Sequence, residues 1–177
     1  MKAYLAVLFC ITLVTQNIFS QTQNKEEKEP MLKNTIAVAG GFTHVPKGAS
    51  LEQQSTGYFL PTIGIDYLRR ITPHWEIGIM LDLEMAKYQI PSIDDLNRHN
   101  AVVTALVTAF AIPKTHINIF GGIGIELETH EHLPIFRVGA EYQIKFGDKG
   151  WFMGPNVFMD YKKYETWSLA FSLGREF

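Results

Sequence analysis

The chain closes on Trp167-Ser168-Leu169-Ala170-Phe171-Ser172-Leu173-Gly174-Arg175-Glu176-Phe177, a stretch in near-strict alternation. Its odd positions read Trp, Leu, Phe, Leu, Arg, Phe; its even positions read Ser, Ala, Ser, Gly, Glu. Successive side chains on a β-strand point to opposite faces, so this pattern predicts one large apolar face and one small polar face. A strand that stops on an aromatic ring suits a closing strand with its last ring at the headgroup level of a membrane.

Working back from that strand, the same period recurs from Asn34 onward, and eight strands are expected. The first spans Thr35 to Val45, with Ile36, Val38, Gly40 and Phe42 on one face. The second spans Gly57 to Arg70 (Phe59, Ile63, Ile65, Tyr67). The third spans Trp75 to Met85 (Trp75, Ile77, Ile79, Leu81, Leu83, Met85). The fourth, Ala101 to Ile112, alternates least well, with Val102, Leu106, Phe110 and Ile112 as its large face. The fifth spans His116 to Glu128, the sixth Pro134 to Phe146, the seventh Trp151 to Tyr161, and the eighth is the closing strand. Tight turns are read at Thr72-Pro73, Pro113-Lys114-Thr115 and Gly147-Asp148-Lys149-Gly150. The longest connection, Ala86 to Asn100, is read as a loop. Short turns on one side and longer connections on the other are the pattern of an all-β, eight-stranded antiparallel up-and-down transmembrane β-barrel.

The aromatics separate this reading from a soluble ligand carrier. With strands running alternately up and down, Tyr67, Trp75, Phe110, Phe146, Trp151 and Phe177 fall near the short-turn end. Phe42, Phe59, Phe136, Tyr161 and Trp167 fall near the other end. Aliphatics lie between. Two aromatic belts around an aliphatic band match the two interfaces of a bilayer. The opposite face carries Asp66, Glu76, Asp82, Glu84, Glu126, Arg137, Glu141, Lys145 and Asp160, interspersed with Gly64, Gly122, Gly124, Gly139 and Gly154. Charges aimed into an apolar core would be costly, but inside a narrow polar lumen they can pair. Strand register predicts Arg137 opposite Asp160. A turn centred between Glu131 and His132 would also set it opposite Glu126.

The segment before the barrel divides in two. Residues 1–20 read as a secretory signal: Lys2 is the charged start, Ala3 to Val14 is an apolar core too short for the roughly 20 residues a bilayer needs, and Ser20 offers a small residue before Gln21. Cys10, the only cysteine, lies in that core behind Leu8-Phe9, which is not a lipoprotein pattern, so no disulfide framework is expected. Residues 21–33 are polar and charged and read as a flexible leader; 34–177 form the barrel. A net charge of −2, a pI near 6.3 and the absence of a basic run exclude nucleic acid as a partner.

From Thr35 to Phe177 the chain resembles the small eight-stranded outer-membrane β-barrels of the OmpA/OmpX type, in the form common in Bacteroidota. The closing strand ending in Phe177 and the cleavage pattern before Gln21 carry the resemblance. It implies residence in a bacterial outer membrane, contact with outer-membrane lipid, and reading of Phe177 by the outer-membrane assembly machinery. Nothing follows Phe177 in the chain as given, so anchoring through an appended peptidoglycan-binding domain is not expected.

No catalytic constellation stands out. Asp82, Glu84, Ser92 and His99 are the candidates for hydrolytic chemistry, and no spacing among them is diagnostic. The sequence favours a non-enzymatic envelope protein with a structural or surface-interaction role. A barrel-embedded lipid-modifying or proteolytic enzyme and a narrow pore or carrier remain the alternatives. Glu126, Glu128, His130 and His132 share one parity and would form a row on one face, a donor set open to Zn²⁺, if the strand ran past Glu128. The favoured reading puts His130 to His132 at a hairpin tip, so no metal, cofactor or catalytic residue is assigned. Asp94-Asp95 is read as a solvated loop pair, Arg69-Arg70 as cations reaching the interface, and Lys162-Lys163 as a polar turn.

Overall fold

The computed structural model describes residues 34–46, 57–90, 96–128 and 132–177. The expected signal segment and leader, Ser92, Asp94, Asp95 and His130 lie outside them.

The described chain is nearly all strand: β1 (Asn34–Val45), β2 (Tyr58–Arg70), β3 (Trp75–Glu84), β4 (Tyr88–Ile90), β5 (Leu96–Arg98), β6 (Ala101–Ala111), β7 (Ile117–Leu127), β8 (His132–Tyr142), β9 (Ile144–Phe146), β10 (Trp151–Tyr161) and β11 (Glu165–Glu176). The main sheet runs β11-β1-β2-β3-β6-β7-β8-β10-β9, and β10 also pairs with β11, so it closes on itself. β8 and β9 form one stave interrupted at Gln143, because both meet β10 in the same register, Glu141 opposite Asn156 and Phe146 opposite Trp151. The result is a closed barrel of eight antiparallel staves.

The closing strand makes the seam. It pairs with β1 from Thr35 opposite Glu176 to His44 opposite Trp167. Phe177 extends the seam through two backbone bonds, Asn34 N–H to Phe177 O at 2.9 Å and Phe177 N–H to Asn34 O at 2.7 Å. Closure leaves no long unpaired edge, which a membrane would penalise.

Alternation sets inside from outside along every stave. Along β11 and the Phe177 that follows it, Trp167, Leu169, Phe171, Leu173 and Phe177 are exposed while Ser168, Ser172 and Glu176 are buried. The large rows of β1, β2 and β3 are exposed in the same way, from Ile36 to Leu83. Val102 and Leu106 point outward on β6 as expected; the poor alternation there comes from an inner row of Ala101, Val103, Ala105, Val107 and Ala109, which is itself apolar and fills the lumen. Most outward aromatics gather at the two ends, with Phe171 the exception at mid-strand. Trp75 faces Phe110 at 4.9 Å and Phe146 faces Trp151 at 6.5 Å near the tight turns, and Phe136 faces Tyr161 at 6.5 Å near the other rim.

Three turns at the first end are short. Residues 147–150 use Gly147 and Gly150 at φ 63° and 74°, conformations glycine adopts without cost. The other end differs from expectation. The connection read as a loop from Ala86 to Asn100 contains the β4–β5 hairpin, whose Tyr88, Ile90 and Arg98 are almost fully buried. With Val45, Leu60, Leu133 and Tyr164, Tyr88 and Ile90 build an apolar cluster across that mouth.

Candidate functional site

The inner rows bring the ionisable side chains into the lumen in three tiers, and each tier is held by different elements. At the tight-turn end, Arg70 from the end of β2 donates through Nε to Glu76 Oε1 at 2.8 Å, and Nη2 reaches Glu176 Oε1 at 3.2 Å. Lys145 Nζ reaches the same Glu176 at 2.8 and 3.0 Å. Arg70 therefore turns inward, not to the interface as its place beside Arg69 suggested. Two carboxylates, Glu76 on the neighbouring β3 and Glu176 on β11 beyond β1, draw it in.

In the middle, Arg137 is 1% exposed and forms a two-pronged pair with Asp160, Nε to Oδ1 and Nη2 to Oδ2, both 2.7 Å. Its Nη1 bonds Asp82, and its guanidinium lies 4.1 Å from the centre of the Phe158 ring. Planar bidentate pairing is the strongest ion-pair geometry an arginine has. Asp160 is the partner that register predicted. Glu126 is not, because β7 and β8 pair with Leu127 opposite His132, so His132 already lies in the strand and Arg137 faces Gly122 instead. Gly139 makes room beside this tier: a Cβ there would meet Phe120 Cζ at 2.4 Å and Phe158 Cβ at 2.6 Å.

Under the apolar cap lies the third tier. Arg98, 1% exposed, bonds Glu126, and its Nη1 sits 2.5 Å from Glu128 Oε2 as an ion pair without hydrogen-bond alignment. Lys162 Nζ bonds the other oxygen of Glu126 and lies 4.6 Å from the centre of the Tyr164 ring. Tyr164 Oη donates to Glu126 Oε1 at 3.2 Å and shares a 2.9 Å bond with Tyr88 Oη. The backbone N–H of His99 donates to Glu128 at 2.8 Å. Lys162 is thus an interior cation and not part of a polar turn surface. Glu126 neutralises its charge there and offsets part of the hydration it gives up.

The cross-section between tiers is filled. Leu68, Met80, Val103, Val107, Phe120, Ile135 and Phe158 pack together inside the wall. Beside Asp82 a void of about 10 Å³ remains, room for about one water.

The candidates read from the sequence scatter across this arrangement. Asp82 is committed to Arg137, and Glu84 is buried with Oε2 unpartnered. His99 presents its backbone, and not its ring, to Glu128. The row that would have formed if the strand ran past Glu128 does not form, since β7 ends at Leu127. His132 is exposed at the start of β8, while Glu126 and Glu128 are taken by Arg98 and Lys162. Among the described residues no group of three metal-ligating side chains converges. The sequence reading missed Arg98 and Tyr88, and the only available signal was a lone arginine and a tyrosine in a connection too long for a simple turn.

No family model and no curated protein matches the chain. Solved structures do superpose on it loosely. The outer membrane protein OprG from Pseudomonas aeruginosa aligns with a TM-score of 0.49 at 10% identity, covering 82% of this chain and 97% of that one. Ail, the attachment invasion locus protein of Yersinia pestis, gives 0.46 at 9% identity, covering 80% and 99%. Neisserial surface protein A gives 0.43 at 10% identity, covering 81% and 96%. At this level of likeness neither activity nor location passes from those proteins to this chain.

Proposed function

We propose that the chain is a non-enzymatic integral protein of a bacterial outer membrane, a closed and filled barrel that presents its longer connections for surface interaction. One observation carries the reading. The outward face is a continuous ring of exposed large apolar side chains, with Phe59 66%, Ile123 67% and Leu169 64% exposed, bounded by aromatics at both ends, while Asp66, Asp82, Glu126, Arg137 and Asp160 are buried inside. Soluble proteins rarely leave a contiguous apolar patch of more than a few hundred Å² to water, and a belt around a whole barrel has lipid as its natural solvent. The packed lumen supports a structural or surface role over conduction, because eight staves leave an interior just wide enough for side chains.

Outer-membrane lipid is then the belt's partner, and the assembly machinery is the partner of the closing strand. Phe177 supports the second assignment: its backbone completes the β1–β11 seam while its ring remains 51% exposed. Membrane fractionation, combined with gel mobility of unheated and boiled samples, tests placement. A protein recovered in the soluble fraction with no heat-dependent mobility would end the reading. Deleting Phe177 should lower the amount reaching the outer membrane, and wild-type recovery of the truncated chain would remove its role in assembly.

A further inference from the structure

The third tier is unlike the other two because its central cation does not belong to the wall. Arg98 stands at the end of β5, and β4 and β5 form a two-stranded sheet of their own, with no ladder to any stave. The carboxylates it meets are Glu126 on β7 and Glu128 just past its end, two residues apart on one inner face. Their side chains, like that of Arg98, have no solvent exposure. Lys162 and Tyr164 also hold Glu126, through partners outside the hairpin. The His99 N–H holds Glu128 at 2.8 Å. Glu84, 3% exposed with Oε2 unpartnered, is a further buried carboxyl on the inner face. Without Arg98, Glu126 would keep Lys162, and Glu128 would lose its ion-pair partner.

We propose that Glu126 and Glu128 form a guanidinium-binding site, occupied in this state by Arg98 of the chain's own hairpin and open, when the hairpin lifts, to an arginine-bearing partner. Paired carboxylates favour the planar, weakly hydrated guanidinium over a compact ammonium in a water-poor seat. The apolar cap of Tyr88, Ile90, Val45, Leu60, Leu133 and Tyr164 excludes water while the hairpin is down. Arg98 is thereby an internal pseudo-ligand. An external guanidinium gains only the difference between its own contacts and those of Arg98. The inference deepens the surface-interaction reading at the same mouth. It is tested on refolded barrel whose heat-dependent mobility has first been confirmed, so its failure leaves membrane placement untouched.

Trypsin reads the seat directly, since it cleaves after Arg98 only when that side chain is free. Exposed Lys87 is replaced (Lys87→Gln) to remove the adjacent cut. Full-length protein in lipid vesicles is digested with methylguanidinium chloride, with tetramethylammonium chloride at equal ionic strength, or with the peptide acetyl-Gly-Arg-Pro-amide, whose Arg–Pro bond trypsin does not cleave, each rate being normalised to a reference substrate because guanidinium compounds also occupy trypsin's own pocket. Cleavage after Arg98 should be slow in tetramethylammonium and about tenfold or more faster with methylguanidinium. Acceleration by the peptide as well would identify protein-borne arginine as a ligand, whereas acceleration by methylguanidinium alone would confine the site to small guanidinium compounds and overturn the partner assignment. Glu128→Gln should speed cleavage with no additive. In a second arm, Arg98→Ala protein should bind methylguanidinium in calorimetry where the parent does not, and Arg98→Ala/Glu128→Gln should lose that binding. If Arg98→Ala fails to fold, Arg98→Lys serves in its place, and should bind methylguanidinium more tightly than the parent does. Rapid cleavage of the untreated parent, or cleavage indifferent to methylguanidinium, or binding by Arg98→Ala that survives Glu128→Gln, would overturn the proposal.

Discussion

Arg137 and Arg98 are both 1% exposed, both set among carboxylates, and both in the lumen of one barrel, yet they do different work. Arg137 belongs to the wall. It is carried by β8, reaches across to β10 and β3, and ties three staves through Asp160 and Asp82. Arg98 belongs to the cap. It hangs from a hairpin outside the ladder and ties that hairpin to the wall through Glu126 and Glu128. The same residue type in the same kind of environment is a girder in one place and a latch in the other. The difference lies in whether the backbone that carries it is already held by strand pairing.

The contrast is broken most directly by removing each arginine. Arg137→Ala strands two buried carboxylates inside the wall and should cost about 3–5 kcal/mol of barrel stability, read as a lower denaturant midpoint in vesicles. Arg98→Ala should leave that midpoint much closer to the parent's while raising hydrogen exchange in β4 and β5, because a cap can open without unfolding the wall. Equal loss of global stability in the two variants would erase the distinction.

Next in size is the outer face of the wall. Ile79 is 46% exposed in the middle of β3. Ile79→Arg should cost about 2–4 kcal/mol in a bilayer, and much less in a detergent micelle that lets the charge reach water. Equal stability in vesicles and micelles would argue against a lipid-facing Ile79.

A smaller effect probes the wall's inner packing. Gly139 lies against Phe120 and Phe158, and Gly139→Ala should cost about 1–3 kcal/mol by overpacking. Phe120→Leu should recover part of that loss in the double variant, since Phe120 Cζ is the nearest atom to the added methyl. Strict additivity would show that the methyl is absorbed elsewhere.

The wall was largely legible in the sequence and the cap was not, for a physical reason. A stave's inside and outside follow from period two alone, so Ile79 outward and Asp160 opposite Arg137 could be read from spacing and one turn. The Glu126 partner was misread because the β7–β8 turn was placed two residues too late, which moves every pairing on that hairpin. Arg98, Tyr88 and Lys162 sit where no period operates. Their burial depends on a hairpin folding back into the mouth, and an isolated arginine in a polar connection is more often solvated. Arg70 was misplaced for a related reason, since its inward turn depends on Glu176 at the far end of the chain.

The smallest effect tests the cap alone. Tyr88 and Tyr164 share a buried 2.9 Å hydroxyl bond, and Tyr88→Phe removes it at a cost of about 0.5–1.5 kcal/mol, because Tyr164 keeps Glu126 as a second partner. Burial first, then the negative charge of Glu84, pushes the Tyr88 phenol well above its ordinary value of 10.0. In the open hairpin the phenol faces water and ionises near that ordinary value, while in the closed one it stays protonated. The open state therefore binds fewer protons above pH 10.0, and closure should weaken as pH rises past it. Hydrogen exchange or trypsin access at the hairpin should increase through that range in the parent, over and above any change that Tyr88→Phe also shows. The difference between the two profiles isolates the phenol. Identical profiles would mean that Tyr88 is already wet, and that the mouth is not sealed by the hairpin.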